Sequence, residues 1–430
     1  LRRLMINPYS SFGVSDDTFK MASELIESLS QSFQRVDEIC SLNQLKVLRA
    51  FQNSRLSDVH FGYPTGYGYD DVGREKIEQI YSEVFGGEAA YVRIQISSGT
   101  QAISACLYGI LRPGDEMLCA TGAPYDTLRT VIGCNAGAAN NYSGSLKEFG
   151  IGFSQVELKA DGSIDVQAVL AAVSPTTKLI LIQKSKGYST RPCLNSELIS
   201  EAIRSIKIVY PNIVILVDNC YGEFVEDKEP CELGADLCAG SLIKNPGGGI
   251  CPSGGYIVGK KDLVEKVASH LTAPGLGSHV GPSLGYNRII AQGLFMAPHV
   301  VSESIKGAIF ASALFEKFGF ICSPASTDVR GDIVQSITFD NPQQVIDFCK
   351  IIQASSPVDA FVAPEPWPMP GYDSDVIMAA GTFTQGASIE LSADGPIKPP
   401  YLVYMQGGLV SEQVKLAAML AVEKMGGRIA

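Results

Sequence analysis

The stretch YVRIQISSGTQAISACLYGILRPGDEMLCA, from Tyr91 to Ala120, decides the fold. It opens on a β-rich apolar run, YVRIQI, and turns at Ser97-Ser98-Gly99-Thr100. It then continues as a helix through ISACLYGIL. Arg112-Pro113-Gly114-Asp115 forms a turn into a second β-rich run, EMLCA. Strand, helix and strand in that order predict a crossover unit, and crossovers build parallel sheets with helices on both faces. KLILIQ (178–183) and NIVILVD (212–218) repeat the unbroken apolar strand pattern that a doubly covered sheet requires. The expected class is α/β, with a large and mostly parallel sheet. Ligands in such sheets gather at the carboxyl ends of strands, where Ser97–Thr100 and Asp218-Asn219 fall.

Working outward, Ser15 caps a helical segment in which Phe19, Ala22, Ile26, Leu29 and Phe33 recur at helical spacing. A Gly- and Tyr-rich loop, HFGYPTGYGYDDVGR, runs from His60 to Arg74, and a helix through Ile77, Ile80, Tyr81 and Val84 ends at Gly86-Gly87. Beyond Gly281-Pro282 a long helical stretch runs towards Phe318. After it, the strands DIVQSITF and YLVYMQ alternate with the helices PQQVIDFCKII and EQVKLAAMLAVEKM. The expected partition is an N-terminal helical arm (1–58), a large ligand-binding domain (59–295), and a linking helix with a small C-terminal α/β domain (296–430).

Composition narrows the function. With 46% apolar residues among 430, the chain buries a substantial core, and disorder is excluded. The 34 Lys and Arg against 45 Asp and Glu leave a net charge of −11, and no basic run argues for nucleic acid. No run reaches the ~18 apolar residues of a membrane span. A small molecule or another protein chain is left as partner. Eleven cysteines without a C-x-x-C pair suggest neither a disulfide framework nor zinc; reduced thiols point to the cytoplasm. Four histidines without H-E-x-x-H give no metal site.

Three features carry chemistry. Ser98-Gly99-Thr100-Gln101 stands between a strand and a helix, where free amides and the helix dipole attract an anion. Asp218 ends a buried apolar strand, where a carboxylate needs a cationic partner. Lys244 lies in GSLIKNPGGG among small uncharged neighbours, and a desolvated lysine has a lowered pKa suited to Schiff-base chemistry. Alone, each has an ordinary reading: a helix cap, a turn residue, a surface lysine before a glycine turn. Together they describe pyridoxal phosphate, which needs an anion site, a carboxylate for its ring nitrogen and a lysine amine. Tyr125, in GAPYD after the EMLCA strand, can stack on the pyridine face. No G-x-G-x-x-G follows a strand, which weakens a nicotinamide-binding alternative, and no carboxylate cluster suggests a metal-tolerance protein without catalysis.

The segments SSGTQAI, GAPYDTLRTVIG, VDNCYGEF, LIKNPGGGICPSGGYIVG, VGPSLGYNRIIAQGLFMAPHVV and SIELSADGPIKPPY resemble the methionine gamma-lyase or aluminium-resistance family. That cystathionine beta-lyase-like group lies within the pyridoxal-phosphate-dependent aspartate-aminotransferase superfamily, and the likeness runs from about Asp17 onward. The resemblance implies a fold type I enzyme, a carbon–sulfur lyase acting on cystathionine, cysteine or methionine by β- or γ-elimination. Lys244 then holds the cofactor as an internal aldimine and shuttles protons, Asp218 pairs with the ring nitrogen, and Tyr125 stacks on the ring and serves as an acid. Ser98, Gly99, Thr100 and Ser241 bind the phosphate. Tyr67, in GYGYDD, is implied to act in a neighbouring subunit of a homodimer or homotetramer. Related lyases carry an arginine two residues after that tyrosine, where this chain has Tyr69. They also clamp the substrate carboxylate with a C-terminal arginine; Lys398, Arg191 and Arg330 compete for that role here. Tyr221, three residues past Asp218, is a placement that aminotransferases share, and a pyridoxal-phosphate-dependent aminotransferase is the alternative function.

Overall fold

The computed structural model describes residues 6–134, 144–187, 189–369 and 374–425. The chain forms two compact units, residues 42–298 and residues 1–41 with 299–430. Both division points lie inside long helices, so no linker marks them in the sequence; the boundaries expected there followed residues 58 and 295.

The chain enters through α1 (Asp16–Ser28) and α2 (Ser30–Asn53). The Ser15 hydroxyl accepts the Thr18 amide at 3.2 Å, and Asp16 and Asp17 place negative charge on the first turn of α1. Helix α3 (Val72–Phe85) starts at an Asp71 cap and stops at Gly86, whose φ of +72° suits glycine. Strand, helix and strand then alternate as β1 (Ala89–Arg93), α4 (Gly99–Ile110), β2 (Glu116–Cys119), α5 (Asp126–Ile132) and β3 (Gly152–Gln155). The series continues with α6 (Val166–Ala172), β4 (Thr177–Gln183), α7 (Ser196–Val209) and β5 (Val214–Asp218). It closes with β6 (Leu237–Ser241), β7 (Gly255–Gly259) and α8 (Lys261–Leu271), before α9 (Asn287–Lys317), which contains Pro298.

The large sheet has the order β1-β7-β6-β5-β4-β2-β3. Strands β3, β2, β4, β5 and β6 run parallel, while β7 is antiparallel to both of its neighbours. One core cluster joins Leu179, Leu181, Leu216, Leu237 and Ile257 of the sheet to Ile103 and Cys106 of α4 and Val264 and Val267 of α8. Each fully buried Leu, Ile or Val there stabilises the fold by on the order of 1.5–3 kcal/mol. Helices α4 and α8 approach so closely that a Cβ on Gly109 would lie 2.9 Å from the Val267 Cα.

The predicted strand YVRIQI is shorter than its composition suggests. All five residues of β1 pair with β7, ending at Arg93 opposite Gly255; the Ile96 amide then turns back to the Arg93 carbonyl at 3.4 Å. Strands β6 and β7 were not anticipated: Leu-Cys-Ala-Gly-Ser has no β-branched residue, and the three strand formers Tyr-Ile-Val of β7 stand between glycines, which read as turns.

The other unit carries β8 (Ile321–Ser323), β9 (Val334–Thr338), α10 (Pro342–Ala354), β10 (Val376–Ala379), β11 (Ser392–Pro396), β12 (Leu402–Gln406) and α11 (Ser411–Met425). Its five strands are antiparallel in the order β10-β11-β12-β9-β8.

Candidate active site

Residues singled out in the sequence converge at the carboxyl ends of β5 and β6 and the start of α4. Asp218 is the last residue of β5, opposite Gln183 of β4 and Ala239 of β6, and is 5% exposed. Its Oδ1 accepts the Cys220 amide at 3.1 Å. Burial pushes the Asp218 carboxyl up, and the charge of Lys244 is the largest influence opposing it.

At the start of α4, the Ser98 hydroxyl accepts the Gln101 amide at 3.1 Å. The Gly99 and Thr100 amides are first-turn donors, which have no acceptor within a helix. A Cβ on Gly99 would stand 2.9 Å from Cys220 Sγ and 3.5 Å from Ser241 Cβ. The α4 start, the loop after Asp218 and the end of β6 therefore meet at one point, and only glycine fits there. Ser241 is buried, and its hydroxyl accepts the Ile243 amide at 3.4 Å.

Lys244 brings its Nζ to 3.9 Å from the centroid of the Tyr221 ring. Tyr221 holds a left-handed backbone (φ +72°), a conformation that costs a non-glycine residue on the order of 1–3 kcal/mol. Among the described residues no carboxylate forms a direct ion pair with this amine. The lowered pKa expected for Lys244 is not what the surroundings produce. Burial works against its charge, but Cys220, Tyr221, Asp218 and Tyr125 together outweigh burial and hold the amine above its ordinary value. The Cys220 thiol and Tyr125 phenol are themselves pushed up, first by burial and next by Asp218.

Tyr125 donates from its phenol to Thr100 Oγ1 at 3.0 Å, and its amide donates to Gln183 Oε1 at 3.1 Å. These bonds tie the tyrosine to the glycine-bearing turn and to β4. Tyr67 is exposed, as is Tyr69, and their rings lie 5.5 Å apart. Their loop is fixed all the same: the Arg74 guanidinium donates to the Gly68 carbonyl at 2.8 Å and the Gly281 carbonyl at 2.9 Å. Arg191 donates to the backbone carbonyls of Gln183 (2.9 Å), Ser185 (2.5 Å) and Pro192 (3.0 Å), and its charge helps to lower Asp218. Lys398 and Arg330 belong to the other unit. Lys398 is exposed, whereas Arg330 is buried and donates to Gln335 Oε1 at 2.7 Å.

Several neighbours escaped sequence reasoning. Cys220 and Gln183 touch the site residues directly, and Lys184 and Glu223 are buried close by. The only signal for the last two is a charged residue inside an otherwise apolar strand-end context.

These donors fit pyridoxal phosphate. A cradle that a Cβ would fill, two helix-start amides and Ser241 suit a phosphate. Asp218 suits a ring nitrogen, and an amine without an ion-pair partner is left for the aldehyde. The family model described as methionine gamma-lyase matches residues 18–426. The chain belongs to the methionine gamma-lyase family. By family it is a carbon–sulfur lyase. It is 52% identical over 406 residues to the uncharacterized protein YnbB of Bacillus subtilis, covering 94% of this chain and 96% of the relative. A solved carbon–sulfur lyase involved in aluminum resistance from Clostridium novyi is 45% identical, with a TM-score of 0.92 and 97% of each chain covered. The L-methionine gamma-lyase of Pseudomonas putida is more distant, 27% identical over 207 residues, or 48% of this chain and 46% of that enzyme.

Proposed function

We propose that this member of the methionine gamma-lyase family uses pyridoxal phosphate to eliminate a thiol from a sulfur amino acid of the cystathionine, cysteine or methionine type. The observation that carries the reading is the meeting of Lys244, Asp218 and the Gly99–Ser241 cradle on one sheet edge. Bound there, the cofactor supplies an electron sink for the bond pair released when Cα loses its proton. Lys244 holds the aldehyde before substrate arrives and afterwards moves the proton at Cα. Asp218 keeps the ring nitrogen protonated. The Tyr125 phenol, kept protonated by burial, would give its proton to the departing sulfur in this reading.

Tyr67, exposed on a rigid loop, supports a working unit of at least two copies, in which it reaches a neighbouring site. Eleven cysteines without a C-x-x-C pair support a reducing, cytoplasmic setting. Arg191, Lys398 and Arg330 are the cations proposed for the substrate carboxylate.

Incubation with cystathionine, cysteine and methionine is expected to release keto acid and ammonia without any amino acceptor. The Tyr221 ring under the lysine amine favours a second reading, amino-group transfer. Turnover that depends on an added keto acid, and yields a new amino acid in place of ammonia, would establish that reading and overturn elimination.

A further inference from the structure

Glu223 follows Asp218 by five residues, is fully buried, and takes no part in the chemistry above. Its Oε1 accepts the Tyr256 hydroxyl of β7 at 2.8 Å. Its backbone carbonyl accepts the Asn245 side-chain amide at 3.0 Å, and Asn245 is the residue next to Lys244. A Cβ on Gly240, the neighbour of Ser241, would lie 2.6 Å from Glu223 Oε1. The side chain therefore touches β6 and β7, and the backbone of the same residue, on the loop just after Asp218, holds the lysine loop. Its Oε2 is buried without a hydrogen-bond partner. The adjacent buried acid, Glu229, is satisfied: its oxygens accept the Asn219 amide at 2.8 Å and the Phe224 backbone amide at 2.9 Å. An acid so served keeps its charge more readily than one with an empty oxygen.

We infer that Glu223 is a positioning residue, its carboxyl holding the loop after Asp218 against β6 and β7 beside the Lys244 loop and reporting its own charge state to the lysine. Burial pushes its carboxyl up to about 8; its own backbone amide, Tyr256 and the charge of Lys244 oppose that rise, and the charge of Glu229 adds to it. The other titratable groups that feel it are Tyr81 of α3, Cys238 of β6, Cys220 and Tyr256, all raised well above their ordinary values. They keep their protons through this range; the other buried carboxyls nearby, Glu229 and Asp218, are also raised by burial. At neutral pH Glu223 is an uncharged wedge. Above about 8 it becomes a second anion near Lys244, which favours the lysine's charged form and slows any step that needs the free amine.

The inference rests on the cofactor reading in one arm of its test and stands free of it in the other. In the cofactor-free protein, infrared difference spectra are expected to show a protonated-carboxyl carbonyl band that is lost as pH rises through about 8. Glu223→Gln removes that band. In the holoenzyme, Glu223→Gln keeps kcat at neutral pH, moves the alkaline limb of the kcat profile upward by about one pH unit, and moves the cofactor's visible-band titration downward. Glu223→Ala lowers kcat about tenfold and the glutamine variant restores it, a loss of about 1.4 kcal/mol in barrier terms. Absence of the wild-type infrared band at acid pH would overturn the inference, as would superimposable wild-type and Glu223→Gln profiles. If the cofactor reading itself fails, wild type lacks the visible band, and the infrared arm alone decides.

Discussion

Lys184 and Lys244 leave the same edge of the same sheet, after β4 and after β6, yet their surroundings differ. Lys184 is 1% exposed, and its amine lies 3.0 Å from Glu226 Oε2. Its stem presses on the next loop so tightly that a Cβ on Gly222 would be 2.6 Å from Lys184 Cδ. Burial lowers its pKa, but Glu226 and Glu229 outweigh burial and raise it. Lys244 is also held as a cation, but its amine meets a tyrosine face and its anion, Asp218, stands off. A lysine paired by contact is immobilised and belongs to the architecture. A lysine balanced at a distance keeps its amine available, and its charge can be displaced by another cation arriving at Asp218.

The sharpest way to break this contrast is to delete each amine. Lys244→Ala is expected to lower turnover by on the order of 10⁴-fold or more while leaving the melting temperature close to wild type, as paired kinetics and calorimetry will read. Lys184→Ala should do the reverse in stability: it takes the buried cation away from Glu226 and from the fully buried Glu229 and costs on the order of 3–5 kcal/mol in denaturant unfolding. Asp218→Asn keeps the shape but removes the distant anion. We expect about a 10²–10³-fold loss in kcat, together with a lowered Lys244 pKa, visible in the pH dependence of cofactor binding. Tyr125→Phe removes one donor at the leaving group, and steady-state assays should show a loss of about 10²-fold.

A further prediction concerns stability and pH. The Glu223 carboxyl is raised from 4.5 to about 8 on folding, so between those values the unfolded chain is ionised while the folded one holds a proton. Wild type therefore loses stability relative to Glu223→Gln as pH climbs from about 4.5 to about 8, by about 1 kcal/mol per pH unit, and the gap is constant above that window. Urea unfolding at three pH values reads the slope.

The sequence made part of this contrast legible. Leu179, Ile180, Leu181 and Ile182 of β4 and Ile215, Leu216 and Val217 of β5 announce buried parallel strands, because a sheet covered on both faces admits almost nothing else. Lys244 stands out through its glycines. Strand β6 does not, because Cys238, Ala239, Gly240 and Ser241 are small for reasons of close approach that only the folded neighbours reveal. The direction of the Lys244 shift was equally hidden. Burial can be guessed from context, but the opposing sum depends on Asp218, Cys220 and Tyr221 from one segment and Tyr125 from another converging on the amine. Lys184 passes unnoticed in QKSKG because its partner Glu226 lies on another loop, after β5. Glu223 hides inside VDNCYGEF, where its alternate reading is a polar turn residue.

The most direct measurement is borohydride reduction of the purified protein with bound cofactor, followed by proteolysis and mass spectrometry of the lysine-bearing peptides. The account predicts the reduced pyridoxyl group on Lys244 alone, with the Lys184 peptide unmodified. A pyridoxyl group on Lys184, or its absence from every lysine in protein supplied with pyridoxal phosphate, would contradict it.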